Sequence, residues 1–127
     1  ILPSESSEAV DAEIDELLAE IEQRTDFKIS WEHTDPVAAS TQVPCDCKTA
    51  STFRKYSSSV AGVSTEPFGF PGTSDVRNLV NDADIEAITW GPAPMDQAHT
   101  IDEYVELDTV TQAVEILVSA TSDLLTT

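Results

Sequence analysis

Positive charge is scarce in this chain. Six basic residues stand against 24 acidic ones in 127, a formal net charge of −18. A nucleic-acid-binding surface needs a cationic footprint, and this composition is the opposite of one. Anionic membrane surfaces are disfavoured for the same reason. Histidine is nearly absent too, with His33 and His99 as the two copies. A catalytic metal needs three or more protein ligands, and no His-x-His or His-Glu-x-x-His spacing occurs. Cysteine is limited to Cys45 and Cys47, one residue apart. A bridge across so short a gap is strained, and no further Cys or nearby His completes a metal set, so both read as reduced thiols. No apolar run has the length of a membrane span, and no signal-peptide pattern is visible. With so few nucleophiles and bases, a complete small enzyme within 127 residues is disfavoured.

What is present suits a folded protein. At 13.7 kDa and 40% hydrophobic residues, the chain has the size of one modest domain and the means to build a core. Acid-rich, aromatic-poor chains can be disordered, but regular apolar periodicity at both ends argues against that here. The remaining reading is a carboxylate-covered surface kept soluble at high salt, where self-repulsion is screened. The expectation is a salt-adapted protein of the cytoplasm.

The chain opens with an apolar stub, Ile1 and Leu2, closed by Pro3 like the end of a strand. Ser6 or Ser7 can cap a helix in which Val10, Ile14, Leu17, Leu18 and Ile21 recur at helical spacing, with acids on a solvated face. Phe27, Ile29 and Trp31 then alternate with polar residues, the period of a strand. Residues 35–44, with Pro36 and Pro44 near the ends, read as a linker and a domain boundary. His33 at its start reads as a surface residue. Residues 49–60 suit a helix with Ala50, Phe53 and Val60 inward. Lys48, Arg54 and Lys55 cluster there, as an anion contact or, in preference, a solvated helix face. Residues 62–67 read as a turn into a short strand.

Residues 70–107 carry the chemistry. Phe70, Pro71, Gly72, Thr73, Ser74 and Asp75 form a turn feeding a helix start, where Ser74 or Asp75 can cap and Val76, Leu79 and Val80 face inward. Such a turn presents backbone N–H groups suited to an anion, and Arg77 can add a bidentate carboxylate contact or pair with a nearby acid. Residues 85–90 read as a buried strand ending at Gly91 and Pro92, with Trp90 and Met95 as packing residues. His99 follows; a lone His is usually structural, but with Asp102 and Glu103 close behind it can instead be a metal ligand whose ring is oriented by a carboxylate. Asp108 reads as the cap of a last helix with a core stripe of Val110, Ala113, Val114, Leu117 and Val118.

The run Gly72-Thr73-Ser74-Asp75-Val76-Arg77, then Trp90-Gly91-Pro92, then Ala98-His99-Thr100-Ile101-Asp102-Glu103-Tyr104-Val105-Glu106 resembles the C-terminal part of a zinc-dependent hydrolase family. That family includes acetylornithine deacetylase, succinyl-diaminopimelate desuccinylase, aminoacylase and glutamate carboxypeptidase. The resemblance covers nearly the whole chain and is strongest from Gly72 onward.

By resemblance, the fold is α/β: the end of an α+β lid over residues 1–35, then the C-terminal part of a catalytic α/β domain over 36–127. His99 matches the histidine that ligates one of two zinc ions. Asp102 and Glu103 would orient its loop, and Gly72, Thr73 and Arg77 match the loop gripping the substrate's carboxylate-bearing end. The implied reaction is hydrolysis of an N-acyl amino acid or small peptide by metal-activated water with a glutamate base. The family's His-x-Asp, bridging Asp, acidic pair and lid histidine have no counterpart in these residues. The chain therefore reads as the last third of such an enzyme, inactive by itself and partnered by the N-terminal half, with homodimerisation through the lid. The competing reading is a non-catalytic acidic interaction module on the same scaffold.

Overall fold

The computed structural model describes residues 1–34, 39–63 and 66–126. Part of the expected 35–44 linker and of the 62–67 turn lies outside these residues. The described chain is helical: helices make up 51% and no strand is present among the described residues. The expected α/β fold is thus corrected to an all-helical one. Four α-helices follow in order: α1 (Ser7–Arg24), α2 (Lys48–Ala61), α3 (Val76–Asn81) and α4 (Leu107–Thr126), with a 3-10 turn at Met95–Gln97. The chain divides into two compact units, Ile1–Gln42 and Val43–Thr127. Among the described residues no helix is long and apolar enough to cross a membrane.

In the first unit, the Ser6 hydroxyl caps α1 by accepting from Ala9 N–H at 3.2 Å, satisfying one of the free donors of the first turn. Val10, Ile14, Leu18 and Ile21 are half-buried, whereas Leu17 is exposed. The segment expected as a strand lies back along α1. Ile29 N–H donates to Glu22 Oε1 at 2.9 Å, Trp31 Nε1 to Asp15 Oδ1 at 2.9 Å, and His33 Nε2 sits 3.1 Å from Asp11 Oδ2. As the numbers rise along the segment they fall along the helix, so the strap runs antiparallel to α1. Four residues of extended chain cover about 13 Å and eleven of helix about 16 Å, so the match requires near-full extension. Its alternating pattern is that of an extended chain, but carboxylates of α1 take the place of a partner strand. Asp11, Asp15 and Glu22 share one face at helical spacing, so part of the acidic face is occupied rather than solvated. Hydrogen bonds from Ile29 N–H and Lys28 hold the Glu22 carboxyl below its ordinary range.

The second unit is built on α2 packed against α4. Cys47 caps α2, its Sγ accepting from Ala50 N–H at 3.5 Å. Gly62 ends the helix at φ 65°, returning its N–H to Ser58 O, a left-handed turn that glycine makes without a Cβ penalty. Cys47, Ala50, Ile116 and Ala120 form the buried core. The α4 stripe expected from periodicity is corrected: Val114, Leu117 and Val118 are exposed, and Ile116 and Ala120 face α2 instead. Asp108 lies in the first turn of α4 rather than before it, so it is not the cap. The segment 85–90 is a second strap. Thr49 Oγ1 donates to Glu86 O at 3.3 Å, Trp90 Nε1 donates to the buried Ser57 hydroxyl at 3.2 Å, and the Trp90 ring packs on Phe53 with centroids 5.2 Å apart. Eight residues of helix and four of extended chain both cover about 12–13 Å. The strap therefore runs alongside α2, again with no strand beside it among the described residues.

Lys55 and Asp123 clasp the two helices, Nζ to Oδ2 at 2.8 Å, with the Tyr56 hydroxyl donating to the same oxygen at 3.1 Å. The Lys55 and Tyr56 hydrogen bonds hold the Asp123 carboxyl below its ordinary 3.8, and Asp123 raises Lys55 above 10.5. A lowered carboxylate contributes stability that is full above its unfolded pKa and lost as pH falls through the folded one. Asp123→Asn should therefore lower the melting temperature at pH 7, and the gap from the parent should close as pH drops below 3.8; a gap independent of pH would contradict the clasp. Ile116→Ala should cost about 2–4 kcal/mol and Val118→Ala within about 0.5 kcal/mol, read by urea unfolding. Equal costs would contradict the assigned core face.

Candidate functional site

The predicted site residues all fall in the second unit, on the turn and short helix α3 before the 85–90 strap and on the loop after it. Gly72 sits under the part-exposed Phe70 ring: a Cβ there would meet Phe70 Cε1 at 2.9 Å, so a side chain at this position would push the ring aside. Thr73 is exposed, and Ser74 Oγ lies 3.3 Å from Thr89 Oγ1, tying the loop to the strap. α3 is six residues long, and Asp75 at its N-cap makes no side-chain capping bond. So short a helix carries little dipole, so the expected anion site at its start is not supported by the helix.

Arg77 is the informative residue. It is half-buried, and its Nε is buried with no hydrogen-bond partner. The expected alternative was a pairing with one of the many acids, and among the described residues no ion pair to Arg77 forms. Buried donors of charged groups are costly when unsatisfied. Other cations of the second unit behave differently: Lys55 is paired with Asp123 and Arg54 lies 3.8 Å from Glu66. The Lys48, Arg54 and Lys55 cluster is thus largely engaged by the protein's own acids and not held ready for an anion.

His99 lies near the start of the loop between the 3-10 turn and α4. The turn closes through Ala98 N–H to Met95 O at 3.2 Å and Thr100 N–H to Gln97 O at 3.3 Å. His99 itself adopts φ 62°, the left-handed region that costs a Cβ-bearing residue about 1–2 kcal/mol. Its side chain is exposed and makes no hydrogen bond or ion pair among the described residues. Asp102 and Glu103 are exposed as well, and neither bonds to the imidazole. The structure places Gly72 and Thr73 on the turn before α3, Arg77 in the first turn of α3, and His99, Asp102 and Glu103 on the loop before α4, and among the described residues joins none of the six to another by a hydrogen bond or ion pair.

A neutral imidazole with free ring nitrogens is chemically suited to bind zinc, and a strained backbone at an exposed His is a recurrent feature of functional loops. Among the described residues, however, no group of three His, Cys, Asp or Glu is gathered closely enough to hold a metal ion. His99 fits as one ligand, and the described residues do not supply a full set. The described residues form shallow grooves, among them one of about 450 Å³ along α2 and α4 lined by Tyr56, Val118, Ser119, Ser122, Asp123 and Thr126. Another, of about 340 Å³, lies between α1 and its strap. Neither includes a predicted site residue.

His33 is an exposed surface residue, as expected, and it also contacts Asp11 and stacks edge-on to Trp31 with centroids 4.9 Å apart. The strand-like alternation of 27–31 hid that contact, because the partner is a helix sixteen or more residues earlier.

The sequence profile of peptidase family M20/M25/M40 matches residues 5–123. Neither a curated protein nor a solved structure matches the chain. Because the exposed His99 side chain makes no hydrogen bond or ion pair among the described residues while its backbone is left-handed, His99→Gly should leave stability unchanged or raise it by up to about 1 kcal/mol. A clear loss of stability on thermal unfolding would mean that the imidazole is structural.

Proposed function

The chain belongs to peptidase family M20/M25/M40, and we propose that it forms one wall of a metal-dependent hydrolase site that cleaves the amide bond of N-acyl amino acids or small peptides. The observation that carries the reading is Arg77: a cation in a chain of net charge −18 whose buried Nε has no partner among the described residues. A carboxylate-bearing substrate would satisfy it, and a guanidinium is the group best matched to a carboxylate. Gly72 and Thr73 belong to the same loop and would let the substrate's carboxylate end approach the backbone.

The family generally binds zinc. When bound, the metal would supply an activated water and polarise the scissile carbonyl. On this chain His99 would hold it through one ring nitrogen, with Asp102 and Glu103 adding negative potential on the same loop. The other ligands and the general base would come from the N-terminal half of the enzyme, the partner this reading requires. Pairing of two copies through the first unit, and function in a salt-rich cytoplasm, complete the proposal.

The test uses this chain assembled with that half and a pair of substrates, an N-acyl amino acid and its carboxamide. His99→Ala should abolish hydrolysis of both. Arg77→Ala should lower kcat/KM for the free acid by about tenfold to a hundredfold, the range of a lost charged hydrogen bond, and leave the carboxamide nearly unchanged. Equal losses on the two substrates would show that Arg77 does not read the carboxylate.

A further inference from the structure

Cys45 and Cys47 have no role in the hydrolase reading, and they occupy unequal places at the start of α2. Both thiols are free, Cys45 exposed and Cys47 buried. The Cys47 side chain belongs to the core that joins α2 to α4. Its Sγ also caps α2 by accepting from Ala50 N–H at 3.5 Å. Ala50 is buried as well, so its N–H depends on that sulfur.

A turn brings the two cysteines together. Cys47 N–H donates to Pro44 O at 3.0 Å, which makes Cys45 and Asp46 the central residues of a tight turn. Such a turn holds Cα atoms two residues apart at about 5.5 Å, inside the range of about 4.4–6.8 Å that a disulfide spans. A bridge is therefore within reach, but its short ring distorts the dihedral angles about the sulfurs. Strained, exposed disulfides are the readily reduced ones. An accessible thiol beside a second, resolving thiol is the arrangement of oxidation-sensing cysteines.

We propose that Cys45 and Cys47 form a reversible oxidation site, in which a low-molecular-weight disulfide converts the pair to a bridge and thereby uncaps α2. The exposed Cys45 sulfur gives its proton to solvent and attacks one sulfur of the small disulfide. That S–S bond breaks, and its other half leaves as a thiolate that takes up a proton. The Cys47 sulfur then gives up its own proton and attacks Cys45 Sγ, which releases the second small thiol. The two protein thiols supply the two electrons that reduce the small disulfide. Bridging draws Cys47 Sγ away from Ala50 N–H and out of the core. Thr49, in the same first turn of α2, fastens the 85–90 strap through Glu86 O, and the strap holds Ser74 through Thr89. Loss of the cap thus loosens the strap and the turn that carries Gly72 and Thr73. The proposal does not rest on the hydrolase reading.

The test treats the chain with excess oxidised glutathione and follows its mass and its amide hydrogen exchange. The parent should lose two hydrogen atoms and retain no adduct. Exchange at Ala50 N–H should rise about fivefold or more, the effect of a lost cap, and dithiothreitol should reverse both changes. Cys47→Ser keeps a capping oxygen but lacks the resolving sulfur, so it should stop with one glutathione on Cys45 and unchanged exchange at Ala50. Cys45→Ser should take up none, because Cys47 is buried. A parent that stays reduced, or that ends as a stable glutathione adduct, would overturn the bridge. A bridged parent with unchanged exchange at Ala50 would overturn the uncapping.

Discussion

The close approach of α2 to α4 is the contact on which the second unit depends. It is made by small side chains: Cys47, Ala50 and Ser57 on or beside α2 and Ala120 on α4, with Ile116 as the large apolar group at the centre. Small residues let two helices come near enough for backbone and side chain to interdigitate at native density. So small a core leaves little margin, because burial of apolar surface is the main favourable term in folding. Polar contacts at its edge therefore matter more than they would in a larger domain. Lys55, Tyr56 and Asp123 close one end, and the Ser57 hydroxyl, buried, is satisfied by the Trp90 indole.

That packing carries the loops. Trp90 and Glu86 fasten the 85–90 strap to α2, the strap holds Ser74 through Thr89, and Ser74 belongs to the turn that presents Gly72, Thr73 and Arg77. His99 lies beyond the other end of the strap, on a turn closed by its own hydrogen bonds. A rigid pair of helices with functional groups on the attached loops is a common arrangement for binding and catalysis. Here it accounts for a half-buried arginine whose Nε has no partner among the described residues and an imidazole held in a costly backbone conformation.

The helices were legible in the sequence. Ser6, the spacing of Val10, Ile14, Leu18 and Ile21, and the breaks at Pro44 and Gly62 each report local physics, and α1 and α2 form near where that physics puts them. The straps were misread as strands. Alternation at Phe27, Ile29 and Trp31 reports an extended chain with two unlike sides, and it cannot report whether the neighbour is a strand or a row of carboxylates on a helix. The inward face of α4 was misread because both of its sides are apolar, so periodicity could not choose between Val114 and Val118 on one side and Ile116 and Ala120 on the other. At the site, the motifs identified the segments, but the buried, unpartnered Nε of Arg77 and the left-handed backbone of His99 are three-dimensional facts. In a chain with 24 acids, an arginine with no ion pair among the described residues is not what composition suggests.

The central claim is that His99 is the metal ligand this chain brings to a shared site. The direct measurement is proton NMR of the assembled, cobalt-loaded enzyme with only this chain isotope-labelled at histidine. The account predicts that the His99 ring signals shift far outside the diamagnetic range while those of His33 do not. An active, cobalt-loaded enzyme in which the His99 signals stay at their metal-free positions would contradict it.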